Sequence, residues 1–166
     1  MRVFALLVMI LCISVVSVFS QASDRSPEFT LRNGFSGLSE GNGALKMFFG
    51  SERIFHVESQ GFDQPDGIFR LEQTVTFKGK PSQHRTWLLK STGQAHYAGS
   101  LSDAAGSVSG SSKGSRLQLH YRASGPFIMH QTLVLMPDGK TIDNVGKITF
   151  LGITVGHLHE TITRKD

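Results

Sequence analysis

His157-Leu158-His159-Glu160 sets two imidazoles one residue apart near the end of the 166-residue chain. In an extended strand such residues share a face, about 7 Å apart. His157 and His159 can therefore offer two nitrogen ligands to a metal, and His120 or His130 on another strand can offer a third. Glu160 falls on the opposite face, which removes it from an acid/base partnership with them. Two histidines without a defined third ligand read as ordinary surface or lumen side chains, so no metal and no cofactor is assigned. Gly110-Ser111-Ser112-Lys113-Gly114 satisfies the G-x-S-x-G pattern formally. A nucleophile elbow needs a helix after the serine, and Ser115 onward alternates as a strand instead. The match is a hairpin turn, and no catalytic residue is assigned. The one other chemistry is that of large amphipathic rings. Trp87, Tyr97 and Tyr121 can line a lumen and donate from the indole or hydroxyl, or pack in a core with the polar tip at the rim. Arg85 beside Trp87 and Arg122 beside Tyr121 are placed to meet an anionic head group. The candidate ligand-binding set is Trp87, Tyr97, Tyr121, Arg122, His130, His157 and His159.

The elements that must position these residues are extended. From Arg85 to Tyr121 four short runs are each closed by a glycine-bearing turn, with no helical period, as in a β-meander or barrel wall. Strands are expected near Leu38–Phe49, Arg53–Ser59, Ile68–Phe77, Arg85–Lys90, Ala95–Ser100, Ala105–Ser111, Arg116–Ala123, Met129–Met136, Thr141–Phe150 and Ile153–Thr163. Asp138-Gly139 between two apolar runs is a strong hairpin signal. In Ile68–Phe77, Phe69, Leu71, Val75 and Phe77 share one face; in Arg116–Arg122, Leu117, Leu119 and Tyr121 do so. One apolar and one polar face per strand is what a half-buried antiparallel sheet requires. The predicted fold is all-β, an antiparallel up-and-down β-barrel of about eight to ten strands, because closure removes exposed edges.

The first residues have the form of a secretory signal: Arg2, then an apolar core from Val3 to Val18, then small residues that suit cleavage after Ser20 or Ala22. A retained anchor is the rival reading, since this core is longer than the usual signal core and shorter than a full span. The expected organisation is a signal peptide over 1–20, a leader and first extended segment over 21–34, and one barrel domain over 35–166. The chain's one cysteine, Cys12, lies inside the apolar core, so the exported domain has no disulfide and must rely on packing. The formal charge of +4 is spread one residue per strand or turn, with no basic cluster among aromatics. Nucleic-acid binding is therefore excluded as a reading, while peripheral attraction to an anionic membrane surface stays open.

The same stretch carries a family likeness. Arg85-Thr86-Trp87, Tyr97-Ala98-Gly99, Gly106-Ser107-Val108-Ser109-Gly110 and the run from Gly114 through Leu117 to Tyr121 resemble the domain-of-unknown-function family 3833. Ile142-Asp143-Asn144 and Phe150-Leu151-Gly152-Ile153-Thr154-Val155-Gly156 continue it, so that the resemblance spans about Phe35 to Arg164. It implies a bacterial envelope protein with a calycin-like (lipocalin-like) barrel, and it implies no reaction. The function expected is binding of a small apolar or lipid-like ligand in or at the mouth of the barrel, in the periplasm or cell envelope. The alternatives are a histidine-dependent enzyme and a small outer-membrane barrel.

Overall fold

The computed structural model describes residues 27–165. The expected signal peptide and most of the leader lie outside the described residues. Ten strands follow one short helix: α1 Leu31–Phe35, then β1 Gly37–Met47, β2 Arg53–Asp63, β3 Ile68–Phe77, β4 Gln83–Gly93, β5 His96–Leu101, β6 Ser107–Lys113, β7 Arg116–Arg122, β8 Phe127–Leu135, β9 Thr141–Phe150 and β10 Ile153–Lys165. Each strand pairs antiparallel with its chain neighbours, and β1 pairs with β10 from Leu38–Lys165 to Met47–Gly156, which closes the barrel.

The up-and-down barrel expected from the alternation is the fold observed. Strand ends differ where the alternation loses its apolar marker. β2 runs on to Asp63 because Gly61 occupies the inward slot there; a Cβ on it would stand 2.0 Å from the Phe35 carbonyl oxygen. Residues 31–35, expected as extended, form one helical turn. Thr30 caps it, its Oγ1 accepting the Asn33 backbone N–H at 3.0 Å.

That turn closes one end of the barrel. Phe29, Leu31 and Phe35 are buried, and the rings of Phe29 and Phe35 lie 5.8 Å apart. The Phe29 N–H donates to the Gly114 carbonyl at 2.7 Å, Arg32 pairs with Asp63 at 2.8 Å, and Arg164 donates to the Asn33 carbonyl at 3.0 Å. The other end, where the β1–β2, β3–β4, β5–β6, β7–β8 and β9–β10 connections gather, carries no such cap among the described residues; we call it the mouth.

Inward positions are mostly apolar and outward ones polar. Leu117, Leu119 and Tyr121 are buried while Arg116, Gln118, His120 and Arg122 are exposed, and β3 alternates in the same sense. A barrel that spans a membrane shows the inverse, an apolar band outside. The charged outer wall therefore speaks against the outer-membrane alternative.

Candidate functional site

Polar side chains occupy inward positions on seven strands and meet in the barrel interior. On β3, Gln73 accepts through Oε1 from the Trp87 indole N–H at 2.7 Å and from Arg85 Nε at 2.8 Å, both on β4. Its amide nitrogen donates to Ser59 Oγ on β2 at 3.1 Å. Across the barrel, Asn144 Nδ2 on β9 donates to Glu160 Oε2 on β10 at 2.9 Å. Longer contacts extend that chain: Gln131 to Asn144 at 3.5 Å and the Tyr121 hydroxyl to Gln131 at 3.3 Å. The two halves touch where the Trp87 and Tyr121 rings stand edge to face, 5.3 Å between centroids.

Glu160 is the electrostatic centre of this network. Its side chain is buried, and Oε1 has no hydrogen-bond partner among the described residues. Oε1 lies against the bare backbone of Gly41 on β1, where a Cβ would stand 2.2 Å away. Desolvation raises the Glu160 pKa above the ordinary carboxylate value, against the opposing pull of the Asn144 hydrogen bond and the Arg85 charge. Burial likewise pushes the Tyr121 hydroxyl up to about 12, with the Arg85 charge acting in the other direction. The interior thus favours neutral forms of both groups, with the half-buried Arg85 guanidinium as its cation.

Between this network and the mouth lies a cavity of about 200 Å³. Phe55, Val75, Phe77, Met129 and Leu158 form its apolar walls, and Arg85, Tyr121, Gln131 and Glu160 reach it from the inner side. Gln83 and Asp103 stand at its outer edge. Drug-sized ligands occupy roughly 300–1,000 Å³, so this space suits a small molecule or the end of a longer one. The arrangement is a recess with apolar walls and convergent hydrogen-bonding groups at its floor.

A family model described as "Protein of unknown function (DUF3833)" matches residues 7–164. The chain belongs to the DUF3833 family. Among curated proteins none matches it. Two solved structures share the fold of this DUF3833 chain. One is the S-type phycobiliprotein lyase CPES from Guillardia theta, 8% identical, with a TM-score of 0.62 over 79% of this chain and 88% of that one. The other is a protein of unknown function from the DUF3598 family of Nostoc punctiforme, 12% identical, with a TM-score of 0.61 over 86% of this chain. This chain spans about half of that protein, 51%. Both likenesses show the calycin-like barrel and nothing about activity.

The structure brings two of the seven expected site residues together inside the barrel, Trp87 and Tyr121. Tyr97 points inward too, but from the β5 end near the closed half, away from the cavity walls. Arg122, His130, His157 and His159 lie on the outer wall. His159 pairs with Asp143 at 2.8 Å, and His130 packs against His120 with 4.6 Å between rings. Burial against the wall, together with the charges of His120 and Lys147, lowers the His130 pKa. Lys147 sits in register between His130 and His157, so a cation separates these histidines. Among the described residues no group of three or more His, Cys, Asp or Glu is arranged to hold a metal ion.

Gln73, Gln131, Asn144 and Glu160 were missed, although a signal for them exists. Each is the one polar residue in an otherwise apolar period-two face: Phe69-Leu71-Gln73-Val75, Met129-Gln131-Leu133, Ile142-Asn144-Ile148 and Leu158-Glu160-Ile162. Burying such a residue costs free energy unless it is hydrogen-bonded, so four at inward positions imply a polar network inside the barrel.

Proposed function

We propose that the barrel is a binding protein for a small amphipathic molecule, with an apolar body between Phe55, Phe77, Met129 and Leu158 and a polar end at Arg85, Tyr121 and Glu160. One observation carries this reading: the buried Glu160 carboxyl stands with Arg85 and Tyr121 at the floor of a cavity with apolar walls. A buried polar group left unpaired costs about 1–3 kcal/mol, so polar groups at the floor of an apolar recess favour a ligand that brings a hydrogen-bonding end to them. Arg85 adds selectivity for a ligand end that is anionic or a strong acceptor. Catalysis forms no part of the proposal. Export into the cell envelope does, supported by the Arg2-to-Ala22 segment and its resemblance to a secretory signal.

The test is a fluorescence titration of the purified protein with an anilinonaphthalene sulfonate probe, followed by displacement with a medium-chain fatty acid. Two variants decide it: Leu158→Trp, which fills the recess, and Arg85→Ala, which removes the cation. Each is expected to weaken probe binding roughly tenfold, about 1.4 kcal/mol, while the circular dichroism spectrum stays that of a folded barrel. Unchanged probe affinity in a folded Leu158→Trp protein would sink the lumen reading.

A further inference from the structure

The mouth has a second property that the lumen does not explain. The most exposed large apolar side chains among the described residues are Phe49 (87%), Leu151 (81%), Phe48 (74%) and Ile153 (68%), and all four lie at the mouth. Phe48 and Phe49 sit on the β1–β2 connection, their rings edge to face at 5.0 Å. Leu151 forms the tip of the adjacent β9–β10 hairpin. β10 neighbours β1 in the closed barrel and β9 pairs with β10, so the two tips stand side by side.

Local geometry holds these residues outward at some cost. Leu151 and Gly152 have φ of 47° and 80°, the positive pair that a two-residue type I′ turn demands. Asn or Gly fits the first position with less strain, and a bulky apolar residue there is an outlier. The β1–β2 connection is tied down at both ends: the Phe48 N–H donates to the Val155 carbonyl at 2.6 Å, and Lys46 Nζ donates to the Gly50 carbonyl at 2.8 Å. Both tips are thus fixed hairpins that present apolar side chains to the outside.

The charges around them choose the partner. Lys46, Arg53, Lys78, Lys80 and Arg122 ring the mouth and are exposed, against Glu52 and Asp103. Arg53 is held over the Phe77 ring at 4.2 Å, at the cavity edge. Apolar tips that project beyond a ring of cations match a bilayer with anionic headgroups: the tips enter the acyl boundary and the cations stay at headgroup level. We infer that the protein docks on an anionic lipid bilayer through Phe48, Phe49, Leu151 and Ile153, mouth down. In that pose the cavity opens onto the membrane, and an amphipathic ligand passes between bilayer and lumen without crossing water. The purpose of the pose rests on the lumen reading, but the docking itself does not.

The experiment uses the full chain and reads position rather than attachment, because the apolar N-terminal segment can bind vesicles by itself. Phe49→Trp places an indole at the tip, while Trp87, the one native tryptophan, is buried. Vesicles of brominated phosphatidylcholine with roughly one third phosphatidylglycerol are expected to blue-shift the added indole and quench about half of its emission. The wild-type signal from Trp87 stays unquenched. Replacing Lys78 and Lys80 with Glu in the same protein is expected to reduce the quenching several-fold, as is raising the salt. If the indole of Phe49→Trp keeps its emission on these vesicles, the docking proposal is overturned. It is also overturned if the blue shift appears without lipid, grows with protein concentration and accompanies a doubled mass, because the patch then joins two copies. Probe binding by Phe48→Ser/Phe49→Ser without vesicles is expected to match wild type, so a failure here is distinguishable from a failure of the lumen reading.

Discussion

Glu160 concentrates the chemistry of the interior in one group. Its folded pKa is raised, so the folded protein holds that proton more tightly than the unfolded chain does. The resulting stability is complete below the ordinary carboxylate value and is lost as pH rises through the folded value. Glu160→Gln keeps an acceptor for Asn144 and removes the titration. Thermal denaturation from about pH 4 to about pH 8 is expected to show wild type falling relative to the variant, by about 1.4 kcal/mol for each unit of the rise. Parallel curves would show that Glu160 titrates in the fold as it does in the unfolded chain. Residue-scale legibility was uneven for a physical reason. Trp87 and Tyr121 stand out by size and type, and both lie inside. The histidines stand out by type as well, yet parity places them outside, because the same period of two that unites His157 with His159 sends Glu160 inward. Residue type drew attention to the wrong face of β10, and the interrupted apolar face held the signal.

At the scale of elements, the strands were legible because inward apolar residues mark every second position. β3 and β9 begin and end where the alternation does. Helix α1 was not legible: five residues span little more than one turn, too few to show a 3.6-residue period, and Gly34 within them weakens helix propensity. Its role depends on Phe29, which stands before it and packs on it. Phe29 is fully buried, and its ring needs the missing side chain of Gly34, where a Cβ would approach to 2.6 Å. Phe29→Ala is expected to destabilise the barrel by about 3–5 kcal/mol in urea unfolding. The closed end and the cavity are separated by the polar network, so probe affinity of the folded variant is expected to stay at the wild-type level. A cost below about 1 kcal/mol would mean that the turn rests on the barrel without plugging it.

At the scale of the whole molecule, closure joins the earliest strand to the last. No local pattern sets that register; it emerges from ten strands with twist and one apolar side each. The seams of a closed barrel are unequal, and the weakest decides where it opens. β5 and β6 pair only from His96–Ser111 to Ser100–Ser107, whereas the β1–β10 seam runs from Leu38–Lys165 to Met47–Gly156. The short seam also has small residues, Ala98, Gly99, Ser109 and Gly110, which bury little apolar surface. Gly99 is constrained rather than loose, since a Cβ there would meet the Leu88 carbonyl oxygen at 1.8 Å. β5 pairs with β4 from Trp87–Leu101 to Gly93–His96, a slightly longer seam than the one it shares with β6. Native-state hydrogen exchange is expected to find the amides that bridge β5 and β6 exchanging well before those of β1–β10, through an opening smaller than global unfolding. The β5–β6 connection holds Asp103 at the edge of the cavity, so this opening widens the mouth on the side away from the apolar tips. A ligand that fills the recess is then expected to slow exchange at β5–β6 more than at β1–β10. If the β1–β10 amides exchange first, the barrel opens at its closure seam, and the small residues of β5 and β6 do not set its weakest point.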